Sequence, residues 1–150
     1  MIFDPENNIN RLCAEGIALE GSDLQQAAAL YLHAWNEAQT ETEKATAAHY
    51  LARVQDDVAG KLDWDRKALD HGLQIGETAK TAFLPSLYLN VAKGLEDSGE
   101  ISEAKLHYGL GLKYIGTLPE NGYVQLIKGG LQRGLERTGE KPGFSPSGNP

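Results

Sequence analysis

The sequence predicts an all-α chain, and three observations carry that expectation. Alanine and leucine dominate the apolar residues while valine and isoleucine are sparse, and unbranched side chains lose little rotamer freedom in a helix. Apolar residues recur at spacings of three and four along most of the chain, the period of a helix face rather than of a strand. Glycine, proline and short polar clusters interrupt this pattern so as to leave about seven segments of helical length. A chain of 150 residues, 41% apolar and 23% charged, has the composition of one globular domain with a core of its own.

Taken in order, helix one is expected over Glu6–Glu20, with Asp4 as N-cap and Pro5 at the first helical position. Gly21, Ser22 and Asp23 break it. Helix two covers Leu24–Ala38, helix three Thr42–Ala59 with Gly60 as its stop, and helix four Lys61–Gly76. Pro85 removes a helical hydrogen bond and crowds the preceding turn, so helix five either starts there or is kinked there, and it runs to Asp97. Gly99 separates it from helix six, Ile101–Tyr114. Helix seven starts near Pro119 and ends near Thr138 and Gly139. Residues 140–150, rich in Gly, Pro and Ser, read as a flexible tail.

Some segments repeat. Gly94-Leu95-Glu96-Asp97-Ser98-Gly99-Glu100 recurs as Gly134-Leu135-Glu136-Arg137-Thr138-Gly139-Glu140. A small, large, small pattern descends every second helix: Ala27, Tyr31, Ala34; then Asp65, Leu69, Gly72; then Ala104, Tyr108, Gly111-Leu112. In helix five, Tyr88, Val91, Ala92 and Leu95 give large, large, small, large. Small residues at such places let helix axes approach closely. Over residues 6–139 this pattern resembles the tetratricopeptide repeat family, with helices longer than its usual 34-residue unit needs. An ordinary helical bundle is the other architecture the same pattern fits.

The resemblance implies a right-handed superhelix of antiparallel helix pairs over residues 1–139, three pairs and a terminal helix. It also implies that the first helix of each pair lines a concave groove. Aligning Ala52 with Ala92, and Tyr88 with Tyr123, puts Arg53, Lys93 and Lys128 in one row along that groove, with His49, Tyr50, Asn90 and Gln125 beside them. Such a row suits a protein or peptide partner bearing an anionic group. The plainer reading is that these cations are neutralised within the chain, Arg53 by Asp56 or Asp57 and Lys93 by Asp97 one turn away.

Other chemistry finds little footing. The formal charge is −7. Residues 1–60 carry ten acidic and three basic side chains, and residues 118–150 three and four, so no cationic stripe marks a nucleic-acid surface. A single cysteine, Cys13, excludes an internal disulfide and Cys-x-x-Cys sites. No signal peptide is expected at the Met-Ile-Phe-Asp-Pro start, nor a membrane span, and the expected location is the cytoplasm.

His33 with Glu37, and Glu103 with His107, lie four apart, but neither pair has a third ligand nearby. Lys128-Gly129-Gly130 lies within a helical pattern, not between a strand and a helix as a phosphate loop would. Gly130 and Gly134 are expected instead to let helix seven approach helix six. Trp35 and Trp64 are expected as half-buried packing residues. The expected site therefore has no catalytic residue, metal or cofactor. The first expectation is a non-catalytic interaction module or adaptor. The second is a structural subunit that self-associates or joins a larger assembly through an apolar end face. The third is a small helical enzyme with an unrecognised site.

Overall fold

The computed structural model describes residues 4–116 and 118–139, with the side chains of 78–81 left aside. These residues form seven helices, α1 (Asn8–Leu19), α2 (Leu24–Glu37), α3 (Glu41–Arg53), α4 (Val58–Gly72), α5 (Glu77–Asp97), α6 (Ile101–Ile115) and α7 (Gly122–Thr138). Among the described residues there is no strand. The tail expected at 140–150 lies outside them.

Short polar side chains start most of the helices. Asn7, Asp23, Thr40, Asp57 and Asn121 each accept a backbone N–H of the first turn, which satisfies an amide that the helix itself leaves orphaned. The start of α1 is thus Asn7 and not Asp4. The expected Thr42–Ala59 helix also divides earlier than expected. Asp57 accepts the Gly60 N–H at 2.7 Å and begins α4 there, so Gly60 lies in the first turn of α4 instead of stopping α3.

Pro85 sits inside α5, eight residues after the helix begins. Losing one helical hydrogen bond and crowding the turn costs about 3 kcal/mol. Leu84, Pro85 and Leu87 are all fully buried, and burying each leucine is worth about 1.5–3 kcal/mol. Tertiary packing outweighs the local penalty and the helix continues.

Consecutive helices pack against one another through short connections, most extensively within α1–α2, α3–α4 and α5–α6. All nine positions of the small, large, small pattern are buried. Asp65, the polar exception, is 2% exposed and takes the Lys61 ammonium at 2.6 Å. Leu87 lies over Gly72, where an added Cβ would come within 2.5 Å of it, and Leu131 lies over Gly111 at the same spacing. The last small slot of α4 and that of α6 therefore each receive a leucine from the helix that follows, which fixes the register between α5 and α7.

Two apolar cores result. One centres on Tyr31, Ala34 and Tyr50 from α2 and α3, with Cys13 of α1 fully buried in it. The other runs from Ala48 and Leu69 through Leu84 to Tyr108 and Leu131. Trp35 and Trp64 pack against both and meet edge to face at 5.1 Å, as the half-buried packing residues the sequence suggests.

Candidate partner-binding face

The odd-numbered helices form one layer. α1 touches α3 directly and α5 touches α7 directly, whereas the backbones of α3 and α5 barely approach. The tyrosine of the small, large, small pattern reaches into this layer in the first and third pairs. The Tyr31 hydroxyl donates to Glu20 at the end of α1, and Glu20 also holds Arg53 of α3 at 2.8 Å. The Tyr108 hydroxyl donates to Glu96 of α5 at 2.7 Å, and Glu96 takes two bonds from Arg137 of α7 at 2.9 and 3.1 Å. Each tyrosine ring lies where a glycine leaves room. A Cβ on Gly16 or on Gly134 would come within 2.3 Å of the ring of Tyr31 or Tyr108.

These carboxylate–tyrosine–arginine clusters have electrostatic consequences. The Arg137 guanidinium, with the Tyr108 hydroxyl, holds the Glu96 carboxyl below its usual range. Burial, reinforced by Glu96, pushes the Tyr108 phenol up to about 12. Sequence reasoning missed both clusters, because Glu20 and Arg53 are 33 residues apart and no local spacing announces them.

The residues expected to line the face separate into two groups. His49, which shares α3 with Tyr50 and Arg53, meets Asn90, which shares α5 with Lys93. The Asn90 amide lies 3.4 Å from His49 Nδ1, and the His49 ring meets Tyr50 edge-on at 4.8 Å. Burial, with the charges of Arg53 and Lys61 nearby, pushes the His49 imidazole down to about 4, so it is neutral at pH 7. Lys93 is paired with Asp97 at 2.5 Å, one turn on. Arg53 is paired too, with Glu20 of α1 rather than with Asp56 or Asp57.

Lys128 and Gln125 do not join this group. The residue six positions after Leu87 is Lys93, and six after Leu131 is Arg137. Arg137, not Lys128, is thus the α7 counterpart of Lys93. Lys128 is nine residues from Arg137, about half a turn around the helix, and corresponds to the fully buried Leu84 of α5. Gln125, one turn before it, is exposed and donates to Glu120 at 3.3 Å. Of the two glycines, Gly134 faces α6 as expected, but Gly130 faces Leu89 of α5, with the leucine 3.1 Å from where its Cβ would lie.

At the N-terminal ends of α5 and α7 the face opens into a cavity of about 400 Å³. Its walls are Ala82 and Phe83 from α5, Leu118, Pro119 and Asn121 from the α6–α7 connection, and Tyr123 and Val124 from α7. None of these residues carries a formal charge. Tyr123 is 49% exposed, and Leu126, one turn along the same helix, is 67% exposed. Asn121 uses its side-chain oxygen on the Val124 N–H at 2.9 Å, which leaves its amide N–H groups as donors at the rim. The cavity size falls in the range of ligand pockets.

The remaining titratable groups do not converge. Among the described residues no three His, Cys, Asp or Glu side chains group as a metal site would require. His33 pairs with Glu37 at 3.0 Å, and His107 meets the Glu103 carbonyl at 2.8 Å. Burial pushes the Cys13 thiol up to about 12, far from a nucleophilic thiolate. Among the described residues no helix is long and apolar enough to cross a membrane. Compared with family models, with characterised proteins and with solved structures, the chain matches none.

Proposed function

We propose that this chain is a tetratricopeptide-like array acting as a non-catalytic interaction module, which binds a peptide or protein along the layer of α3, α5 and α7 in the cytoplasm. The observation that carries the reading is the uncharged cavity beside Tyr123, continued by the exposed Leu126 on the same helix. A small domain seldom leaves such a surface open without a partner for it. A helical scaffold held at both ends by buried tyrosines presents that surface with little conformational cost on binding. The lone cysteine suits a reducing compartment.

The test is affinity capture from source cells with wild type, Tyr123→Glu and Leu126→Glu, followed by titration of the recovered partner in purified form. The expected result is a partner retained by wild type and lost by both variants, with each variant still fully helical by circular dichroism. Equal capture by all three proteins overturns the assignment of this face.

A second reading, self-association, draws on a different surface. Leu106, Leu110 and Leu135 line a shallow cavity between α6 and α7, and Leu106 is 59% exposed. A concentration-dependent mass by light scattering that Leu106→Glu abolishes would support it. A strict monomer at high concentration removes it.

A further inference from the structure

We propose that the partner segment carries an uncharged aromatic anchor, seated in the cavity beside Tyr123, and an acidic residue about three positions away that pairs with Arg133. This deepens the interaction-module reading and rests on it.

The cations of the layer are unequal. Arg53, Lys93 and Arg137 are each held by a carboxylate of the chain itself, Glu20, Asp97 and Glu96. An incoming anion has to displace those partners. Arg133 is different. It is exposed, and among the described residues it has neither an ion-pair nor a hydrogen-bond partner. Its direction is also set. Its guanidinium lies back over Gly129, with Nη1 3.0 Å from where a Cβ on that glycine would stand. The missing side chain at 129 lets Arg133 fold towards the N-terminal end of α7, which is the cavity end.

Tyr123, Leu126, Gly129, Gly130 and Arg133 recur at helical spacing and share one stripe of α7. From Tyr123 to Gly129 the helix rises about 9 Å, a distance that about three residues of extended chain cover. The cavity walls, Ala82, Phe83, Leu118, Pro119, Tyr123 and Val124, offer ring faces and aliphatic surface and no counter-ion. They suit an aromatic side chain and disfavour a charged one, which would be desolvated without compensation. Asn121 supplies amide donors at the rim for a backbone carbonyl beside the anchor.

The test is selection of a phage-displayed library of random linear peptides on the purified protein. Enriched peptides are expected to pair an aromatic residue with Asp or Glu about three positions away. Ala82→Trp, which fills the cavity, is expected to weaken a selected peptide at least tenfold by fluorescence anisotropy. Arg133→Glu is expected to do the same, and replacing the peptide's acid with lysine is expected to restore binding to Arg133→Glu. That charge exchange carries the test even where Ala82→Trp lowers stability. Enriched peptides that lack the pairing, or that bind Arg133→Glu unchanged, overturn this inference and leave the wider reading standing. Selection that enriches no peptide removes both.

Discussion

The joints between successive odd-numbered helices differ. Where α1 meets α3, Glu20 ties Tyr31 to Arg53, and at the opposite end of the same pair Asn7 donates to Glu43 at 2.9 Å. Where α5 meets α7, Glu96 ties Tyr108 to Arg137. Among the described residues no such carboxylate–tyrosine–arginine cluster joins α3 to α5. The large slot of α4 holds Leu69 in place of tyrosine, Lys93 is spent on Asp97, and a polar contact across the gap is the 3.4 Å approach of Asn90 to His49. The outer joints are locked by charge-assisted hydrogen bonds on a buried phenol, and the middle one is held by the apolar core that runs from Ala48 and Leu69 to Leu84 and Leu87. A helical array's stability is roughly the sum of its units and their interfaces, so each joint can be weighed by what the loss of its own contacts costs.

The sharpest way to break that contrast is to unseat a locked tyrosine. Gly134→Ala places a methyl group within 2.3 Å of the Tyr108 ring, and the ring has no open space to move into. The expected loss is about 3 kcal/mol, read by urea denaturation, while Gly109→Ala on the open side of α6 is expected to be neutral or stabilising. Equal stability of the two variants would mean that the ring is not confined.

Acid tests the middle joint. The His49 imidazole is held near 4 by burial, below its ordinary value of 6.5. With the folded value depressed, stability is complete above 6.5 and declines as pH falls from 6.5 towards 4, because the unfolded chain takes up a proton that the fold refuses. The decline amounts to about 2–3 kcal/mol at pH 4. His49→Asn is expected to flatten the profile across that window. The lowered carboxyls of Glu43 and Glu96 weaken the locks only further down, as pH drops through the carboxylate range. An unchanged slope in His49→Asn refutes the assignment.

Removing hydroxyls and charges should rank the joints. Tyr108→Phe leaves Glu96 short of one donor and is expected to cost about 1–2 kcal/mol. Lys93→Ala removes an exposed pair within one helix and is expected to cost about 0.5 kcal/mol or less. If Lys93→Ala matched Tyr108→Phe in thermal denaturation, the middle cation would be part of a lock after all.

Much of this was legible from the residues themselves. Helix number, the buried slots from Ala27 to Gly111, and the packing roles of Trp35 and Trp64 follow from period and side-chain size. Where reading failed or stayed open, a longer-range effect decided. Local rules leave Pro85 as either the start of helix five or a place within it, and burial of Leu84 and Leu87 decides for the second, with α5 beginning eight residues earlier. Val54 to Asp57 look helical until Asp57 is seen to cap the next helix. The cation row failed through register. Tyr88 and Tyr123 are alike in type but not in place, whereas Leu131 on Gly111 matches Leu87 on Gly72, and that match exchanges Lys128 for Arg137. The duplicated Gly-Leu-Glu motif misled in the same way. Gly99 closes α5 with φ of 85°, while Gly139 after α7 has φ of −83°. The two copies end their helices differently and are not equivalent in space. Neither lock was visible, since each joins three helices.

The burial of Cys13 has a practical corollary. It is the single sulfhydryl of the chain, it has no exposed surface, and its thiol is almost wholly protonated at neutral pH. Maleimide reagents will therefore pass the native protein by. A pair of cysteines introduced at exposed sites on α2 and α6 would accept a donor and an acceptor dye without first replacing the natural residue. Energy transfer between them would then report directly on the distance between the α1–α2 and α5–α6 pairs.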